Sequence, residues 1–182
     1  MDTFIDTSII VPAIIETPDS EAIRGFIETS LNRLVVSPII YQEALHVGTK
    51  ILLRERCGIE SVAAVRKFIR KNGYDCILDF IERLNILFMG FTIYADSTNT
   101  LLISQIAAKY HLLSGDALII ATCVENNIQS LASFDSDFKN IDGKIVQIIG
   151  SHTLFDLVYK NWLVVKLPLR KNYFFLISTS TD

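Results

Sequence analysis

Short apolar runs alternate along this chain with longer segments of helical period. This alternation is typical of an α/β domain with a parallel sheet, because each parallel strand needs a crossover, usually a helix, before the next one. The apolar runs predict five strands, at 3–5, 34–36, within 86–93, at 128–134 and at 144–149. We therefore expect an open parallel sheet covered by helices.

The helices are predicted from their period and their start signals. Thr17-Pro18 and Ser37-Pro38 each combine a capping residue with a proline suited to the first helical turn. The predicted helices run from these two signals to about 29 and 56, and then over 59–71, 74–87, 99–110 and 114–126. Gly150 marks a predicted boundary between a domain at 1–150 and an extension at 151–182, which contains apolar stretches at 154–165 and 173–177.

Composition excludes several classes of protein. Half of the 182 residues are apolar and a fifth are charged, so the chain is neither disordered nor fibrous. The net charge of −3 gives no overall attraction to nucleic acid or anionic lipid, and any such binding needs a local patch. The three widely spaced cysteines argue against a disulfide scaffold. We expect a cytoplasmic protein, because neither a signal peptide nor a membrane-spanning run is evident.

The segment TFIDTSIIV places a carboxylate, Asp6, among apolar residues at the end of the first predicted strand. A carboxylate there is costly unless hydrogen bonds, a helix N-terminus or a cation compensate it. One interpretation is that Asp6 caps a helix that begins near Thr7. The other is that Asp6 belongs to a cation site.

Three more carboxylates have a placement similar to that of Asp6. Glu43 lies early in the helix after the second strand, Asp116 lies in the first turn of a later helix, and Asp135 follows the fourth strand. Sites in open parallel sheets form outside the carboxyl ends of the strands, where these four acids would meet and repel one another. A hard divalent ion, Mg²⁺ or Mn²⁺, removes that repulsion and suits work on phosphates.

The same pieces carry a resemblance to the PIN domain, the metal-dependent nuclease fold of VapC-type toxins and RNA-processing enzymes. The matching segments are FIDTSII, YQEALHV, IAAKYHLLSGDALIIATCVENNI and LASFDSDF, in an order and spacing that agree as far as Gly150. The resemblance implies a three-layer α/β/α sandwich around a parallel sheet, with an acidic pocket for one or two Mg²⁺ ions.

The resemblance also implies roles for individual residues. Asp6 and Asp116 would hold the metal most directly, and Glu43 and Asp135 would complete the catalytic pocket. Supporting roles would fall to three further residues of the same segments, Ser8, Ser133 and, with less support, Asp137. The activity implied is that of an endoribonuclease acting on RNA, either the toxin of a toxin–antitoxin pair with a protein antitoxin or a housekeeping RNA-processing nuclease. A homodimer is expected as well.

Two parts of the chain depart from a minimal toxin of this family. The stretch from about 51 to 89 is longer and predicts an extra helical pair, and the extension after Gly150 matches nothing in the family pattern. Within the longer stretch, a basic run either grips RNA phosphates or forms an ordinary solvated helix face. Its last four cations are Arg66, Lys67, Arg70 and Lys71.

Other classes of protein fit less well. A phospho-receiver domain needs a lysine at the end of its last strand, whereas Lys144 begins the fifth strand. A haloacid-type phosphatase needs a second aspartate two residues after Asp6, and that position is Ser8. An inactive PIN scaffold that only binds partners is disfavoured by the presence of all four acids.

Overall fold

A computed structural model describes residues 1–150 and Leu154 of the chain. The strands are β1 (Asp2–Ile5), β2 (Arg33–Val36), β3 (Thr92–Ile93), β4 (Ser130–Ala132) and β5 (Gln147–Ile149). The helices are α1 (Thr7–Ile14), α2 (Ser20–Thr29), α3 (Pro38–Cys57), α4 (Val62–Asn72), α5 (Leu78–Met89), α6 (Thr100–Tyr110) and α7 (Ser114–Glu125). Short 3-10 helices occupy Asp75–Ile77 and Ser136–Asn140.

The five strands form one parallel sheet in the order β3-β2-β1-β4-β5. The chain first moves outward from β1 through β2 to β3, and then returns to place β4 on the other side of β1. Strand order therefore reverses between β1 and β4, and crevices that bind ligands form at such a switch point. The predicted parallel sheet is confirmed.

The helices form two groups that follow from this path. Helices α1, α2, α3 and α5 contact one another, and α6 packs against α7. Because parallel crossovers are right-handed, connections that run in opposite directions along the sheet lie on opposite faces. The result is the predicted α/β/α sandwich, with Phe4, Ile5, Leu131 and Ala132 of the central strands fully buried between the layers.

Both interpretations of Asp6 find support at the start of α1. Asp6 is the N-cap of this helix, and its carboxylate accepts the backbone N–H of Ser8 at 3.2 Å. The sequence predicted this helix only under the interpretation that Asp6 is a helix cap. Asp6 is also 5% exposed and lies at the end of β1, beside the switch point.

The predicted start of the second helix at Thr17-Pro18 is wrong. The helix begins at Ser20, and the capping geometry is reversed, because the backbone N–H of Thr17 donates to the Ser20 hydroxyl at 2.8 Å. That hydroxyl is buried and donates in turn to the carbonyl of Pro12 at 2.6 Å. Its bond to the end of α1 accompanies a turn over 17–19, so the helix starts two residues later than predicted.

Other boundaries moved by a few residues. The third strand is short, because the first half of 86–93 completes α5. The fourth and fifth strands keep only the residues that pair with β1 and β4. Helix α4 begins after Ser61, whose hydroxyl accepts the backbone N–H of Ala64 at 3.1 Å. The extra helical pair is present as α4 and α5, with α5 entered through a 3-10 turn.

The predicted extension at 151–182, with its apolar stretches at 154–165 and 173–177, lies outside the described residues except for Leu154. The side chain of Leu154 is fully buried. The division at Gly150 stays a prediction. Across residues 1–150 and Leu154, no helix combines the length and apolar character that a membrane crossing requires.

Helix α3 packs closely against α5 because position 48 has no side chain. A Cβ at Gly48 would overlap the Phe80 ring, which is 1% exposed and cannot move into solvent. Close packing of this kind is sensitive to one added methyl group. Gly48 therefore sets the distance between the helix that carries Glu43 and its neighbour.

We predict that Gly48→Ala lowers the free energy of unfolding by about 1–3 kcal/mol, because the added methyl overpacks the core. Thermal denaturation measures this as a fall in Tm of roughly 2–4 °C per kcal/mol. Gly143→Ala is the matched control, since nothing lies within 4 Å of a Cβ at that position. Equal melting temperatures for the two variants would contradict the packing argument.

Candidate acidic site at the switch point

The Asp6 carboxylate is fixed through one of its two oxygens. Oδ2 accepts the hydroxyl of Ser8 at 2.6 Å and the hydroxyl of Ser133 at 2.8 Å, in addition to the Ser8 backbone N–H. The two hydroxyls come from α1 and from the residue that follows β4. Oδ1 takes no part in these bonds, so one oxygen is held by the fold and the other is left to bind a ligand.

The two serines also fix the segment that follows β4. Ser8 Oγ accepts the backbone N–H of Phe134 at 2.9 Å, and Ser133 Oγ accepts that of Asp135 at 3.0 Å. Each hydroxyl therefore donates to Asp6 and accepts from the backbone, which orients both of its polar functions. The supporting roles expected for Ser8 and Ser133 agree with this geometry.

Glu43 reaches the site from the second turn of α3. Its Oε2 accepts the hydroxyl of Thr7 at 3.0 Å, which ties it to the residue after Asp6. Burial raises the pKa of Glu43, the Thr7 bond opposes that rise, and the charges of Asp6, Asp135 and Asp96 add to it. These effects place the four carboxylates within range of one another's charge.

Asp116 lies in the first turn of α7, which is a favourable place for a negative charge. Even so, burial raises its pKa to about 6, and the carboxylates of Asp135 and Glu43 are the next largest causes. Asp137 and Asp6 contribute in the same direction. A carboxylate whose charge is opposed by burial and by like charges is one that a cation would stabilise.

Asp135 and Asp137 lie at the exposed edge of the site. Oδ1 of Asp135 accepts the backbone N–H of Asp137 at 2.9 Å and so caps the 3-10 helix Ser136–Asn140. The negative charges of both carboxylates raise the pKa of Asp116. Asp135 thus combines a local structural role with a place in the acidic group, and Asp137 lies on its outer side.

Three residues of the site were not singled out from the sequence. Thr7 orients Glu43, and Gly115 leaves room for it, since a Cβ there would lie 2.8 Å from Glu43 Oε1. The third is Asp96, whose Oδ2 accepts the backbone N–H of Ile39 at 3.1 Å at the start of α3. Its Oδ1 is buried and has no hydrogen-bond partner among the described residues.

The donor set suits a hard cation, although the carboxylates are not gathered into a finished cage. Within 1–150 and Leu154, no three acidic, histidine or cysteine side chains lie close enough together to enclose a metal ion. Magnesium does not need such a cage, because it keeps several waters and uses one or two carboxylates. The unbonded Oδ1 of Asp6 and the half-buried Asp116 meet that requirement.

The four basic residues singled out from the sequence lie together on α4, away from the acidic group. Arg66, Lys67, Arg70 and Lys71 are exposed and line a shallow depression with Ala63 at its floor. Helix α4 follows the far end of α3, and Glu43 and Cys57 are separated by about 21 Å along that helix. These cations therefore lie on a separate segment, residues 58–75, which we call the arm, and not in the pocket.

The raised pKa of Asp116 predicts a pH-dependent stability in the absence of metal. Between its unfolded value of 3.8 and its folded value of about 6, the folded state binds the proton and the unfolded state does not. Stability therefore rises as the pH falls through 6, and Asp116→Asn removes this gain. We expect Asp116→Asn to melt higher than the wild type at pH 7.5 in chelator, by about 2–4 °C after allowance for solvent screening.

The same comparison at pH 5 provides the check. There Asp116 is protonated in the folded wild type but still ionised in the unfolded chain, so the gap between the two melting temperatures should narrow, and it should close only below pH 3.8. Thermal melts across this pH range measure the gap directly. A gap that is constant with pH would show that Asp116 has an ordinary pKa and does not interact with the other acids.

Comparisons with known proteins agree with the fold. The model of the PIN domain family matches residues 3–144. "Ribonuclease VapC6" of Methanocaldococcus jannaschii is 29% identical over 145 residues, which cover 78% of this chain and 93% of that protein. "Ribonuclease VapC2" of the same organism is 27% identical over 129 residues, covering 71% of this chain and 75% of that protein.

A solved structure shows the same fold. The crystal structure of VapBC2 from Rickettsia felis, bound to a DNA fragment from its promoter, contains a chain that superposes with a TM-score of 0.53 at 19% identity. The alignment covers 81% of this chain and 97% of that one. Because the family match spans most of the chain and includes every carboxylate of the site, the chain belongs to the PIN domain family.

Proposed function

We propose that this protein is a divalent-metal-dependent endoribonuclease. The observation that carries the proposal is the state of Asp6, a buried carboxylate with one oxygen fixed by two serines and the other unbonded at the switch point of the sheet. Four more carboxylates surround it closely enough to alter the pKa of Glu43 or Asp116. Keeping these carboxylates close together and partly buried costs folding free energy, and the same arrangement is well suited to holding a cation.

The residues present fit Mg²⁺ or Mn²⁺, since every donor is a carboxylate oxygen. Asp6 and Asp116 would hold the ion directly, and Glu43 and Asp135 would complete its surroundings. When bound, the ion would polarise the phosphoryl oxygen and lower the pKa of a bound water. Ser8, Ser133 and Thr7 would act through the carboxylates, by keeping their oxygens in place.

RNA is the substrate supported by the relatives and by the charge of the arm. Two similar proteins are named as ribonucleases. Arg66, Lys67, Arg70 and Lys71 take part in no ion pair among the described residues, so they remain free to meet phosphates.

The relatives also support a role as the toxin of a VapBC-type pair, with a protein antitoxin as its partner. The expected homodimer remains a prediction. A small DNA-binding antitoxin encoded by the neighbouring gene, and forming a complex with this chain on co-expression, would support the toxin role. A neighbouring gene without such a product would favour the RNA-processing role.

The proposal predicts that single-stranded RNA is cleaved with Mg²⁺ or Mn²⁺ and is left intact in chelator. Asp6→Asn and Asp116→Asn should each reduce cleavage by about 100-fold or more, since loss of a metal ligand costs more than loss of an outer partner. Added Mg²⁺ should raise the Tm of the wild type by binding its native state, and should do so far less in either variant.

Glu125→Gln serves as the matched control, because Glu125 is an exposed acid on the same helix as Asp116. Its cleavage rate and its metal-induced shift in Tm should equal those of the wild type. If Asp116→Asn retained both properties as well, the carboxylates would not hold the metal and the assignment would fail.

The arm provides a separate prediction about binding. Changing Arg66, Lys67, Arg70 and Lys71 to glutamine should lower the slope of log affinity against log salt by about 3, since each phosphate contact to a single strand contributes about 0.7. The measurement is RNA binding by Asp116→Asn, which cannot consume the RNA, over a range of salt concentrations. An unchanged slope would mean that these cations form only a solvated helix face.

A further inference from the structure

Two cysteines that lie far apart in the sequence meet at the base of the arm. Cys57 is the last residue of α3, and Cys76 lies in the 3-10 helix Asp75–Ile77. Both are free thiols, with Cys57 exposed and Cys76 partly exposed. Their side chains lie near each other, since the Cys57 thiol is among the groups that raise the pKa of the Cys76 thiol.

A neighbouring ion pair holds the two segments together without help from the thiols. Arg56, next to Cys57, donates from Nη1 to the carbonyl oxygen of Cys76 at 2.7 Å. Its two terminal nitrogens also bind the two carboxylate oxygens of Asp79 at 2.7 and 2.8 Å. A bidentate pair of this kind fixes orientation as well as distance. The segment that carries Cys76 is therefore held against the end of α3 by contacts that do not depend on the redox state of the thiols.

The segment between the cysteines is the arm, residues 58–75, which carries α4 and its four cations. Gly58 and Gly73 lie at either end of α4, and both have a positive φ, of 65° and 66°. Within α4, Val65 is buried, whereas the cationic face is exposed. The arm thus leaves and re-enters the body of the protein at one place, where the two thiols lie.

We propose that Cys57 and Cys76 form a redox-sensitive clasp, in which a disulfide closes the base of the arm and restricts its opening. The oxidant is a small-molecule disulfide such as oxidised glutathione. The exposed Cys57 thiolate attacks one sulfur of the oxidant, forms a mixed disulfide and releases the first small thiol. The Cys76 thiolate then attacks the Cys57 sulfur and releases the second thiol, so two electrons pass from the protein to the oxidant.

The order of attack follows from the surroundings of the two sulfurs. Burial raises the pKa of the Cys76 thiol, and the neighbouring Cys57 thiol raises it further. Thiolates are the attacking species, and attack also requires access to the oxidant. Cys57 is more exposed and so reacts first, while Cys76 resolves the mixed disulfide from a position that is already in contact.

Closing the arm has a direct consequence for its stability. A cross-link between positions 57 and 76 removes open conformations of the loop that it closes. Local opening of α4 should therefore become rarer, and cutting of the arm by a protease, which depends on that opening, should slow. If the arm grips RNA, which rests on the function proposed above, the locked form would also bind RNA more tightly, because less ordering is needed on binding.

The test begins with the folded protein in oxidised glutathione, followed by mass spectrometry of the peptides. We expect a link between Cys57 and Cys76 within one chain. Cys76→Ser should instead carry glutathione on Cys57. Cys123→Ala is the matched control: Cys123 is fully buried and burial raises its pKa to about 12, so its removal should leave the link unchanged.

Limited trypsin digestion then tests the closure, since trypsin cuts after the four basic residues of the arm. We expect trypsin to cut the oxidised protein within α4 about five-fold more slowly than the reduced protein. The rate at which Cys76→Ser is cut should not depend on the oxidant. Glutathione on Cys57 without a link to Cys76, or equal cutting of the two forms, would overturn the clasp. These readouts involve no RNA, so their failure is separate from failure of the proposed nuclease.

Discussion

The buried carboxylate of Asp6 is the constraint on which the rest of the site depends. It ends β1, caps α1 and accepts two serine hydroxyls, one from each side of the switch point. Because those hydroxyls also accept backbone N–H groups after β4, the same atoms that hold Asp6 hold the segment carrying Asp135. The buried Asp6 carboxylate thus links the first strand to the segment after the fourth strand, and the other carboxylates lie around it.

The structure reconciles two interpretations that the sequence presented as alternatives. A capping aspartate and a metal-binding aspartate need different oxygens, and Asp6 has one for each purpose. Oδ2 accepts the capping bond and the serine hydroxyls, which leaves Oδ1 unbonded. Neither function excludes the other, so a cap at this position is no argument against a site. The hydrogen bonds reduce the cost of burying the charge, and the proposed cation would offset the remainder, which the nearby acids increase.

Much of the fold was predictable because its signals are local. Apolar runs predicted the strands, and four of the acids were singled out because each follows a strand or lies near the start of a helix. The Thr17 cap failed because a tertiary bond from Ser20 to Pro12 outweighed a sequence signal. Asp96 was missed for a related reason. It closely follows β3, just as Asp6 follows β1, but β3 has only two residues and its end could not be located within 86–93. Contacts such as Arg56 with Cys76 join distant segments, and no local pattern encodes them.

The electrostatics of the site bear on whether a chain of this kind could be an inactive scaffold. Asp116 is held in a half-buried place where burial and its acidic neighbours raise its pKa to about 6, so its ionised carboxylate destabilises the metal-free fold at neutral pH. A protein that only bound partners would become more stable by exchanging Asp116 or Glu43 for a neutral residue. Instead, Thr7 and Gly115 accommodate Glu43, by a hydrogen bond on one oxygen and by the lack of a side chain near the other. A fold is expected to accommodate an unfavourable charge where that charge has a function. A divalent cation would offset the free-energy cost of this charge by binding to it.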